Sequence, residues 1–92
     1  MSAMTALALP ADEWTAATVG SSVEVTIGAL GPVGILVFVG AAEPLGTSFV
    51  GKSIDTNCDA KLPIEDGDEV WIRPRVPGIA AQAFVWPHAA ST

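Results

Sequence analysis

Val33-Gly34-Ile35-Leu36-Val37-Phe38-Val39-Gly40 is the stretch whose reading decides the fold. It is a short apolar run, rich in β-branched residues, with turn residues at both ends. In an extended chain, successive side chains point to opposite faces. Ile35, Val37 and Val39 therefore share one face, and Leu36 and Phe38 share the other. An antiparallel strand exposed to solvent carries one polar face, and this run has none. It reads as a central strand covered on both sides. One cover is the domain's own core. The other is a second sheet or a neighbouring subunit, because no segment of the chain carries a sustained helical period.

Working outward, Val23 to Ile27 alternates cleanly, with Val23, Val25 and Ile27 on one face and Glu24 and Thr26 on the other. This is the signature of a half-buried strand. Gly28 to Pro32 reads as a short loop that returns the chain antiparallel into the Val33 run. Further strands are expected over Glu13 to Thr18, over Thr47 to Ile54, over Glu69 to Arg73, and over Ile79 to Trp86, where Pro87 stops the last one. Asp55 to Leu62 reads as polar and irregular, and Pro74 to Gly78 as a turn. About six or seven short strands bounded by Gly or Pro predict an all-β fold, a small antiparallel β-sandwich or barrel. Residues 1–11 read as an extended N-terminal arm, 12–87 as the sandwich domain and 88–92 as a C-terminal tail.

The chain has 92 residues, which suits one domain with a modest core. Half of the residues are apolar (50%) but only 15% are charged, a lean surface that suits a protein packed against others. The net charge of −6, with 4 basic residues, argues against nucleic acid, whose phosphates need clustered Lys and Arg. It is also the wrong sign for an anionic membrane surface, and the Val33 run is too short to span a bilayer. A single cysteine, Cys58, cannot make an internal disulfide, so the chain reads as made in a reducing cytoplasm. The N-terminal residues lack the basic start and long apolar core of a signal peptide.

Gly46-Thr47-Ser48-Phe49-Val50-Gly51-Lys52-Ser53 matches the phosphate-loop pattern G-x-x-x-x-G-K-S. That loop works where it follows a strand and opens a helix, so that backbone N–H groups and the helix dipole surround phosphate. Here the inner residues favour strand and the following segment is a poor helix, so an ordinary strand is expected. Asp55-x-Asn57-x-Asp59 begins like a calcium loop, but Ala60 stands where the sharp turn needs Gly and Pro63 interrupts it. Turn formation and backbone capping are the expected roles of Asp55, Asn57 and Asp59, with a looser calcium site shared with a neighbour as the alternative. Glu65, Asp66, Asp68 and Glu69 read as a solvated acidic turn rather than an acid–base pair, which would need an apolar pocket. His88 lies beyond Pro87 with no triad around it, and Cys58 has no adjacent base. No cofactor and no metal is expected.

The aromatic residues are the better candidates. Phe84 and Trp86 share a face of the last strand. If that strand pairs with Glu69 to Arg73 across the Pro74 to Gly78 turn, Trp71 lies beside them. The group is then either core packing or an interface anchor rimmed by Arg73 or Arg75. Trp14, next to the arm, is a second candidate anchor. Leu7 and Leu9 on the arm, and Leu36 and Phe38 on the central strand, complete the candidate interface.

Several of these features together resemble the small β-rich virion proteins of tailed bacteriophages, especially capsid decoration (cement) proteins and head fibres. They are the short N-terminal arm, Val23-Glu24-Val25-Thr26-Ile27, the Val33 to Gly40 strand with a proline soon after, and Glu65-Asp66-Gly67-Asp68-Glu69-Val70-Trp71-Ile72-Arg73 ahead of a final strand. The resemblance implies a β-sandwich or barrel without enzyme activity. It implies binding to the major capsid protein on the outer surface of the virion, after synthesis in the host cytoplasm, and a homo-oligomer, with a trimer favoured. The other function the chain suits is a tail, baseplate or fibre module that recognises a receptor or sugar.

Overall fold

The computed structural model describes residues 5–17, 24–41, 43–44, 51–65 and 68–88. Eight strands run in chain order: β1 (Thr5–Leu9), β2 (Thr15–Ala17), β3 (Glu24–Gly31), β4 (Ile35–Gly40), β5 (Lys52–Ile54), β6 (Asp59–Pro63), β7 (Glu69–Pro74) and β8 (Ala81–His88). They form two four-stranded sheets ordered β1-β8-β3-β6 and β2-β7-β4-β5. All strand pairs are antiparallel. The protein is all-β, with no helix among the described residues, as a small β-sandwich requires.

The chain passes back and forth between the sheets, and β4–β5 is the single consecutive pair that lies side by side. Two expected hairpins are therefore corrected. β3 and β4 do not pair, and neither do β7 and β8. Each of these connections carries the chain from one layer to the other. Turn residues announce a reversal of direction, but they do not say whether the returning strand joins the same sheet or the opposite one.

The inner faces supply the core. Val25 and Ile27 of β3 and Val85 of β8 face Ile35 and Val37 of β4 and Val70 and Ile72 of β7, all buried. Ala29, Ala81 and Ala83 keep the β8–β3 layer thin at one end of this core. The N-terminal arm is corrected as well. Residues 5–9 form an edge strand of the chain's own sheet, with Leu7 opposite Ala83 and Leu9 opposite Ala81. Leu9 is 1% exposed, and Leu7 packs against the same core, so both side chains serve the chain's own sandwich. Alternating apolar residues in TALAL suit an inner face equally well in the chain's own sheet or in another's.

Three strand limits also change. β3 runs on through the expected loop to Gly31, with a register shift between Ala29 and Gly31 that leaves Leu30 exposed. A bulge of this kind adds one residue to a strand without ending it, which conceals the strand from a reading of alternation. The peptide that follows, Gly31–Pro32, is cis. β6 forms within the segment that reads as irregular, because its polar Asp59 and Lys61 are the outward half of an edge strand. β8 continues through Pro87 to His88. Past Val85 it pairs on the β3 side alone among the described residues, so a missing N–H is tolerated there.

The Val33 run becomes β4, an inner strand between β7 and β5. Its Ile35 and Val37 face the core. Its second face is covered from within the chain, since Leu36 is 6% exposed beside Arg73 of β7, its cross-strand partner.

Candidate functional site

The outer faces of the two sheets separate the candidate residues. On the β2-β7-β4-β5 sheet, Leu36 pairs with Arg73 and Phe38 with Trp71, which in turn pairs with Ala16. Trp14 arrives from the β1–β2 connection, and the guanidinium carbon of Arg73 lies 5.6 Å from the centroid of its ring. Arg73 is 2% and Trp14 7% exposed. Asp12 Oδ1 lies 3.9 Å from Arg73 Nη2 and accepts a 2.9 Å hydrogen bond from the Gly78 N–H. The β1–β2 and β7–β8 connections are thereby tied over one end of this face. The indole Nε1 of Trp71 is buried and has no hydrogen-bond partner among the described residues. This face is a packed layer rather than an open one.

Arg75 is not a rim residue of an aromatic patch. Its Nη1 donates to Ser53 Oγ at 2.7 Å and to Asp55 Oδ1 at 2.6 Å, and its N–H donates to the Gly34 carbonyl at 2.9 Å. It staples the ends of β4, β5 and β7 together.

The expected meeting of Trp71 with Phe84 or Trp86 is overturned, because these residues sit on outer faces of different sheets. Phe84, Trp86 and His88 instead line one face of β8 at every second residue. Across the sheet they stand opposite Gly28, Thr26 and Glu24 of β3. The Phe84 ring lies over Gly28, where a Cβ would fall 2.0 Å from its Cε2. The Trp86 and His88 rings lie 4.8 Å apart at 50°, and His88 Nε2 shares a 2.8 Å hydrogen bond with Thr26 Oγ1. Trp86 is 41% exposed, the one tryptophan that faces solvent to this extent. On β6, the next strand, Asp59 stands opposite Gly28 and Lys61 opposite Thr26, both exposed. The result is an aromatic ridge along β8 flanked by a shallow polar strip. It offers an exposed ring face for stacking, with the Thr26 hydroxyl hydrogen-bonded to His88 and, one strand further on, Lys61 and Asp59 on the same face.

His88 is the last residue of β8 and not part of a tail, because Pro87 does not stop the strand. The signal that marks it is parity, since Phe84, Trp86 and His88 lie two residues apart and so on one face.

The motif-like segments take structural roles where they are described. Residues 46–50 of the phosphate-loop match lie outside the described residues, and Lys52 and Ser53 belong to strand β5. Asp55, Asn57 and Cys58 form a turn tied to β3. Cys58 N–H donates to the Asp55 carbonyl at 3.0 Å, Asn57 N–H to the Ala29 carbonyl at 2.8 Å, and Ala29 N–H to the Cys58 carbonyl at 3.0 Å. No group of three or more His, Cys, Asp or Glu suited to a metal occurs among the described residues. In the acidic turn, Asp66 and Gly67 lie outside the described residues, while Asp68 N–H donates to the Glu65 carbonyl at 3.0 Å.

No family model, curated protein or solved structure matches the chain.

Proposed function

We propose that this protein is a structural, non-catalytic module that attaches by its β8 ridge to the outer surface of a larger protein shell. The shell that its sequence resemblance points to is the capsid of a tailed bacteriophage, with the major capsid protein as partner. The observation that carries the reading is the exposed Trp86, set against the His88 ring and in line with Phe84 on one face of β8. A large ring fixed in place at the centre of a mixed polar surface is the composition of an interface anchor. On this reading the protein stabilises the shell because it binds the assembled lattice and not the dissociated subunits.

The test is heating of particles with and without the protein. Complete particles are expected to retain DNA at temperatures where depleted ones release it, and Trp86→Ala protein is expected to fail to restore the difference. Depleted particles as heat-resistant as complete ones would sink the cement role.

The tilted Trp86–His88 pair beside the Thr26 hydroxyl favours a second reading, a tail, baseplate or fibre module that stacks a sugar on this ridge. Location separates the two: many copies over the shell support the first, a few copies at the tail the second.

A further inference from the structure

Among the described residues each sheet ends in two edge strands, and three of the four edges are blunted. β6 carries exposed Asp59 and Lys61 and ends in Pro63. β5 is three residues long and begins with an exposed lysine, Lys52. β2 is also three residues long among the described residues. Charges, prolines and shortness are the means by which sheet edges avoid pairing with other chains. β1 has none of them. Its five residues, Thr5-Ala6-Leu7-Ala8-Leu9, hold no charge and no proline, and β8 is its single strand partner among the described residues. Ala6 and Ala8 are exposed on the outer face. Beyond the strand the apolar character continues into an open groove of about 570 Å³ lined by Ala8, Pro10, Leu30 and Pro32 among others.

We propose that the β1 edge docks a second copy of this chain. Two β1 strands pair antiparallel about a twofold axis at Leu7, joining two four-stranded sheets into one of eight strands. The occupant follows from the sequence of the edge itself. A twofold contact requires a self-complementary surface. Centred on Leu7, the strand sets Leu7 against Leu7, Ala6 against Ala8 and Thr5 against Leu9. Small residues then meet small ones on the outer face, and no like charges meet despite the chain's net charge of −6. The axis stands perpendicular to the sheet, so both β8 ridges face the same side. Three strand spacings separate them, about 14 Å. The inference does not depend on what the ridge binds.

The test uses the full chain in light scattering and sedimentation over a range of concentrations. A species of twice the protomer mass is expected. The double variant Ala6→Lys/Ala8→Lys places like charges across the axis and leaves the inner face untouched. It is expected to weaken the dimer at least about tenfold with an unchanged circular dichroism spectrum. In a Cys58→Ser background, a mixture of Ala6→Cys and Ala8→Cys chains is expected to crosslink on oxidation far more than either chain alone. A monomer at all concentrations, a trimer, or a dimer indifferent to the lysines overturns the proposal, as does equal crosslinking by either cysteine variant alone.

Discussion

Arg73 lies on an outer sheet face, yet it is among the most buried side chains in the molecule. The stem lies on the sheet beside Leu36, the head meets the Trp14 ring at 5.6 Å, and the Asp12 carboxylate is 3.9 Å away with 57% of its side chain exposed. An exposed partner at that distance is worth under about 1 kcal/mol, whereas stripping a buried long side chain costs about 2–4 kcal/mol. Arg73→Ala is thus expected to lower the urea-unfolding free energy several times more than Asp12→Asn. Equal losses would show that the ion pair dominates. Gly28 is decided by its neighbour in the same way. A Cβ there would collide with the Phe84 ring and push it off the sheet, at a cost of about 1–3 kcal/mol. Because the obstacle is a single ring, most of the loss should vanish when Gly28→Ala is made in a Phe84→Ala background, a coupling that a double-mutant cycle measures. Neither contact is visible in a linear sequence, since Gly28 and Phe84 are neighbours only through the β3–β8 register.

At the scale of elements, strand identity was legible wherever alternation or a two-faced apolar run was clean. The cores of β3, β4, β7 and β8 all fall where the pattern puts them. What the pattern could not give was the partner of each strand. β1 and β6 show why. Leu7 and Leu9 alternate in the way an arm on a neighbour would, and the same alternation serves an edge strand of the chain's own sheet. Leu9→Ala should therefore destabilise the isolated protein by about 2–5 kcal/mol, which denaturant unfolding at low concentration in the Ala6→Lys/Ala8→Lys background measures. A loss within a few tenths would mean that residues 5–9 contribute little to the fold. Leu36→Ser on β4 belongs to the same scale. Because that face is closed within one chain, the substitution is expected to reduce folding stability and not only assembly. Thermal melting together with light scattering separates the two effects. The ridge is half legible: parity puts Phe84 and Trp86 on one face, while Pro87 hides His88 because β8 accommodates a proline beyond its last pairing with β1.

For the molecule as a whole, the accessible surface of 5208 Å² is close to the roughly 5,000 Å² expected of a folded monomer of this mass. The radius of gyration of 12.2 Å is likewise that of a single compact domain, about 12 Å for this length. The chain closes its core without a partner, so any association adds to a finished domain. Each sheet, however, draws on both halves of the chain. β1 and β3 lie with β6 and β8, and β2 and β4 lie with β5 and β7. A chain cut between β4 and β5 should yield two fragments that are each unfolded alone, by circular dichroism and NMR dispersion, and that gain β structure when mixed. A fragment that folds by itself would contradict the interleaved topology. Strands paired across nearly the full length, such as β1 with β8, also place folding in the millisecond-to-second range.

The sequence alone determined that the chain is all-β and sandwich-like, that Val33 to Gly40 is an inner strand, and that its face at Leu36 requires cover. These follow from side-chain parity, which is a local property of an extended backbone. The tertiary structure alone decided that the cover is Arg73 with the Trp14 ring over it, brought in by a connection that crosses from one sheet to the other. It also decided that Trp71 and Trp86 lie on opposite outer faces. Parity states that two faces exist, and only the order of strands in space states what each face meets.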